Sequence, residues 1–168
     1  LQVGRIRSKD TRRSLCREGG AGWRCGMAAA AHCPQGASPV KIALLGTSNG
    51  VLKDGYARFL LTDQHRHEVR NFSLGGNCSI YANYGIEKYG IADSFEYCVL
   101  DFCINDENFC DYNTLTVEQD MAYLYAALSR FNAAKCIPVI LLLTNERYAF
   151  HLEKSPVYRH HLQLARML

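Results

Sequence analysis

Apolar residues gather into four short runs, at 40–45, 68–74, 97–104 and 136–143, separated by stretches whose apolar positions recur every three or four residues. The first run, Val40-Lys41-Ile42-Ala43-Leu44-Leu45, and the last are nearly continuous, as expected for strands covered on both faces. The second is weaker. After the first run, Val51, Leu52, Tyr56, Phe59 and Leu60 mark one face of a helix over 51–61. A further helix is predicted over 79–89. Thr116 and Gln119 form a capping box for a long helix with Met121, Leu124, Leu128 and Phe131 on its apolar face. Ser155-Pro156 supplies an N-cap and a first-turn proline for a last helix. Strands alternating with helices predict a parallel sheet between two helical layers. Periodicity alone is equally satisfied by a flavodoxin-like binding domain. Gly75-Gly76 would cradle a phosphate in such a domain, yet no dinucleotide-binding or Walker signature is present.

Three of the strand ends carry small or amide-bearing residues: Gly46-Thr47-Ser48-Asn49, Asn71-Phe72-Ser73-Leu74-Gly75-Gly76-Asn77 and Asp101-Phe102-Cys103-Ile104-Asn105-Asp106. The C-terminal ends of parallel strands share one edge, so Ser48, Gly76 and Asn105 are expected to converge on one crevice. A serine where a strand turns into a helix is most often only an N-cap. It also lies beside unpaired backbone N–H groups that stabilise an oxyanion.

Together the segments resemble the first three blocks of the SGNH/GDSL hydrolases: 46–49 the serine block, 71–76 the glycine block and 103–106 the asparagine block. The resemblance runs from about Val40 to Leu168. It implies a three-layer α/β/α fold with a flavodoxin-like parallel sheet. It also implies Ser48 as nucleophile and an oxyanion hole made by the Ser48 and Gly76 N–H groups and the Asn105 carboxamide. Thr47 replaces the family's usual acidic residue, and Cys103 stands where its third block has glycine. The family's last block, an Asp-x-x-His that supplies the general base, has no match. Without a base a serine hydroxyl is a poor nucleophile at neutral pH. The expectation is therefore a chain truncated before the final strand and helix, with the base histidine encoded beyond residue 168. His151, after the fourth strand, is a weak substitute; His160 and His161 read as ordinary helix residues. Asn145, Glu146 and Arg147, also after that strand, are candidates for contacting substrate or simply a solvated loop.

The chain's net charge of +3 comes from its start, where Arg5, Arg7, Lys9, Arg12, Arg13, Arg17 and Arg24 outnumber Asp10 and Glu18. Residues 1–39 read as a disordered or non-native extension ahead of a domain at 40–168. A transit peptide is the rival explanation for this Arg-rich start. The remainder has no basic patch with interleaved aromatics, which argues against nucleic acid. No segment has the roughly 18 apolar residues that cross a membrane, and a cytoplasmic location is expected. The eight cysteines contain no C-x-x-C pair. Cys98, Cys103 and Cys136 fall in or beside apolar runs, where a free thiol behaves as a small hydrophobe. Cys103, beside Asn105, reads as buried rather than reactive. His65-Arg66-His67 and the acidic group Asp101, Asp106, Glu107 and Asp111 lack the spacing of zinc or calcium ligands. Neither cofactor nor metal is expected. These readings lead to a hydrolase of carboxyl esters, its substrate a small molecule or an O-acetylated saccharide; the competing class is an inactive binding module of the same fold.

Overall fold

The computed structural model describes residues 38–62 and 67–168. Residues 1–37 of the extension expected over 1–39, and His65-Arg66, lie outside the described residues. Four strands, β1 (Val40–Gly46), β2 (His67–Asn71), β3 (Tyr97–Asp101) and β4 (Ile137–Ile140), form one sheet in the order β2-β1-β3-β4. Every pairing is parallel. This is the flavodoxin-like order, and the chain reverses its winding direction between β1 and β3.

Alternation along β1 divides its side chains between two faces. Ala43 and Leu45 join a large core with α3 (Ile80–Lys88), α4 (Ile91–Ser94), α6 (Val117–Asn132) and α7 (Pro156–Ala165). Ile42 and Leu44 join a small one with α2 (Ala57–Thr62) and Val69. The expected capping box is present: Thr116 Oγ1 accepts from the Gln119 N–H at 3.2 Å, and Gln119 Oε1 accepts from the Thr116 N–H at 2.9 Å. Ser155 caps α7 by accepting from the Tyr158 N–H, with Pro156 in the first turn.

Three predicted elements differ from those observed. The helix expected over 51–61 is two pieces, α1 (Ser48–Val51) and α2, because a turn at Leu52 to Gly55 interrupts it. Val51, Leu52 and Phe59, expected to be buried, are exposed, leaving Leu60 and Leu61 to pack on the sheet. The third strand ends at Asp101 rather than 104, since α5 (Cys103–Asp111) already begins at Cys103. The fourth is four residues long and forms an edge among the described strands. The Ile137 and Leu141 N–H groups bond to Glu96 and Leu100, so Pro138 faces the free side, where its missing N–H removes a donor. Among the described residues no helix is long and apolar enough to cross a membrane.

Candidate active site

The winding reversal falls between β1 and β3, and both strands end in the serine and asparagine motifs. Thr47 takes the N-cap position without a side-chain cap bond, and Ser48 is the first residue of α1. The serine hydroxyl is therefore not used as a cap. Its N–H belongs to the first turn, where no intrahelical carbonyl is available. Gly46 allows this approach, because a Cβ there would lie 2.8 Å from the Cβ of buried Asp101 on β3.

Beyond the regular part of β2, the Phe72 and Leu74 N–H groups still bond to Leu44 and Gly46 of β1. This extension carries the glycines alongside Ser48: a Cβ on Gly75 would sit 3.9 Å from Ser48 Cα. Gly76 has φ +72°, a left-handed conformation that favours glycine. Asn71 ties the two segments together, its Nδ2 donating to the Gly50 carbonyl at 2.6 Å and its Oδ1 accepting from the Ser73 N–H at 3.0 Å. Asn105, in the first turn of α5, donates through Nδ2 to the Asn77 carbonyl at 2.8 Å. A carboxamide has a second N–H, which remains for another acceptor. The serine, glycine and asparagine segments thus meet at one edge. Ser48 and Asn105 are half-buried and Gly76 is exposed, whereas Thr47, Asp101 and Cys103 beneath them are fully buried. Burial pushes the Cys103 thiol far above its usual range, matching the reading of an inert thiol. A groove of about 230 Å³ runs beside α1, lined by Gly50, Val51, Leu52, Ala57 and Leu61 among others.

The later candidates are attached elsewhere. The Asn145 N–H donates to Glu107 Oε2 at 2.8 Å and its Nδ2 to Asn108 Oδ1 at 3.2 Å, while Arg147 pairs with Asp111 at 3.2 Å. These bonds fasten the segment after β4 to α5; Glu146 is exposed. His151 is exposed, with Nδ1 3.5 Å from Glu153. His160 is half-buried on α7.

His161 departs from its expected role as an ordinary helix residue. It is 1% exposed, and its Nε2 lies 3.3 Å from Asp106 Oδ2 and 3.2 Å from Asp120 Oδ2. Ser79 joins both carboxylates, its N–H donating to Asp106 Oδ1 at 2.8 Å and its hydroxyl to Asp120 Oδ1 at 2.9 Å. Burial favours a neutral ring, but bonding to Asp106 and Asp120 outweighs it and pushes His161 up to about 9. Burial likewise pushes Asp106 up to about 7. For Asp120 burial is outweighed by bonding to His161, which holds that carboxyl below its usual range. The signal for this cluster was helical spacing. His161 lies between Val157 and Leu164 on the buried face of α7, and Asp120 is one turn before Leu124 on that of α6.

No protein-family model and no curated protein matches the chain in sequence. Solved structures do match it. They include an acetyl xylan esterase (14% identity, TM-score 0.60, covering 76% of this chain and 71% of that one). A protein from Parabacteroides merdae described as a GDSL-like lipase matches at 16% identity and TM-score 0.56, covering 77% and 72%. The protein YxiM from Bacillus subtilis matches at 18% identity and TM-score 0.57 over 77% of this chain, which spans only 42% of that protein's length. The chain has the three-layer α/β/α fold of the SGNH/GDSL hydrolases.

Proposed function

We propose that the chain carries the nucleophile and oxyanion hole of an SGNH/GDSL-type ester hydrolase. The observation that supports this most is the meeting of Ser48, the Gly75-Gly76 turn and Asn105 at the winding reversal of the sheet. In this reading Ser48 Oγ attacks the ester carbonyl. The Ser48 and Gly76 N–H groups and the free N–H of Asn105 receive the charge that develops on its oxygen. The general base is a histidine from outside the described residues, for His161 is committed to Asp106 and Asp120 and His151 lies against Glu153. The groove beside α1, apolar at Val51, Leu52 and Leu61, takes the acyl part of the ester. Similarity to an acetyl xylan esterase favours O-acetyl groups on saccharides among carboxyl esters. Asn145, Glu146 and Arg147 follow β4 at its C-terminal end; with Asn145 and Arg147 fastened to α5, the exposed Glu146 is the one that contacts the alcohol side of the substrate. Among the described residues Cys78, Cys98, Cys103, Cys110 and Cys136 are free thiols, which supports a reducing, cytoplasmic setting.

The engagement of His151 and His161 favours a second reading, a non-catalytic module that binds esters without turning them over. Chemical rescue separates the two. The chain is assayed on an activated acetate ester with and without imidazole, which substitutes for a missing histidine. A hydrolase site gives an imidazole-dependent rate above that of Ser48→Ala under the same conditions. Asn105→Ala lowers this increment by about 10²–10³-fold. Equal rates for the wild type and Ser48→Ala would leave the binding module.

A further inference from the structure

The Asp106, Asp120 and His161 cluster lies behind the proposed oxyanion turn, and its geometry is unusual for an ion pair. Charge-assisted N–H···O bonds are about 2.7–2.9 Å long, and Ser79 makes bonds of 2.8 and 2.9 Å to these same two carboxylates. Packing here therefore permits normal contact. Yet His161 Nε2 stands 3.3 Å from Asp106 Oδ2 and 3.2 Å from Asp120 Oδ2. A single ring nitrogen has one proton at most, and it faces two carboxylates. Asp106 Oδ2 is fully buried and receives no hydrogen bond of normal geometry. The three donor atoms all lie within 4.8 Å of one another.

The two separations from His161 Nε2 have a simple chemical counterpart. Around a tetrahedral ion with bonds of about 2.0–2.2 Å, neighbouring ligand atoms are roughly 3.3–3.5 Å apart. Each carboxylate also has its other oxygen held by Ser79, the kind of outer contact that orients metal-bound carboxylates. Two buried carboxylates face a single imidazole in a dry place, and the arginine ion pairs among the described residues are at the surface.

We propose that Asp106, Asp120 and His161 bind a small divalent transition cation, of which zinc is the best example, with His161 coordinating through Nε2. One imidazole and two carboxylates suit zinc or manganese better than calcium, which takes six to eight oxygens. The ion joins α5, α6 and α7, with Ser79 as the orienting group, and fixes the back of the turn that carries Gly76. The role is structural: the three ligands are 0–1% exposed, and a water completes the coordination.

The test needs no catalytic activity. The chain is unfolded in chelator, refolded with zinc or with cobalt, and freed of loose metal. One tightly held equivalent is expected. The cobalt form should show the visible spectrum of a tetrahedral nitrogen and oxygen site, without the near-ultraviolet band of thiolate ligation. Asp120→Asn and His161→Gln should abolish the tight equivalent, and Ser79→Ala should weaken it by about 10–100-fold. If the ligand variants do not fold, wild-type stoichiometry and the cobalt spectrum decide alone. No retained metal, a thiolate band, or tight binding undiminished in a folded His161→Gln would overturn the proposal. The cluster would then be an ion triad sharing protons.

Discussion

The two faces of the sheet have unequal burdens. On one, sixteen buried residues in or beside β1, β3, β4, α3, α4, α6 and α7 form a continuous core. On the other, the buried apolar cluster is no more than Leu44, Ala57 and Val69 among the described residues, and Ile137 and Val139 of β4 stand open. The first face also contains the polar junction of Ser79, Asp106, Asp120 and His161. The second has the buried carboxylate of Asp101 beside the Tyr56 hydroxyl, and Ser48 begins α1 just after β1. Stability and candidate chemistry are thus divided. The well-packed face holds the turns in place, and the thin face leaves the serine accessible.

The largest expected effect lies on the packed face. Phe102, 1% exposed at the end of β3, should cost about 3–5 kcal/mol when changed to alanine. Ile137→Thr on the thin face should stay within about 0.5 kcal/mol. Denaturant unfolding measures both, and similar losses would erase the contrast between the faces.

Asp101 provides a sharper comparison, because its side chain lies on the thin face yet is fully buried. Burial pushes its carboxyl from 3.8 to about 6, a difference worth about 3 kcal/mol. Its folded pKa is the higher one, so the folded state holds the proton more tightly. Its contribution is most favourable below 3.8 and is lost as pH rises through about 6. Asp101→Asn, which cannot ionise, should equal the wild type near pH 4 and exceed it in stability at pH 7. Parallel pH profiles for the two proteins would show that Asp101 ionises without penalty.

How much of this was legible beforehand follows from what each signal depends on. The capping box at Thr116 and Gln119 and the N-cap at Ser155 are local and appear as read. The convergence of the serine, glycine and asparagine segments followed from the shared edge of parallel strands. Phe59 is exposed, contrary to its spacing, because apolar spacing cannot reveal the turn at Leu52 to Gly55 that breaks the helix into α1 and α2. His161 was missed because its polarity hid its place on an apolar stripe. Its partners lie forty-one and fifty-five residues away in sequence, at Asp120 and Asp106, and no local pattern joins them.

A smaller effect tests the local part of that reading. Thr116→Ala removes one side of the capping box and should cost about 1 kcal/mol, seen as a lower unfolding midpoint with an unchanged denaturant slope. No loss would mean that packing of Leu124, Leu128 and Phe131 alone sets the start of α6.

The central claim is that Ser48 is a nucleophile facing an assembled oxyanion hole. Reaction with an activated ethylphosphonate ester, followed by mass spectrometry and peptide mapping, tests it most directly, because the adduct is stable. A single adduct on Ser48 is predicted, formed faster with imidazole, slowed about 10²–10³-fold in Asn105→Ala and absent in Ser48→Ala. An unmodified Ser48 under these conditions, or modification spread over Ser73 and other hydroxyls at similar rates, would contradict the account.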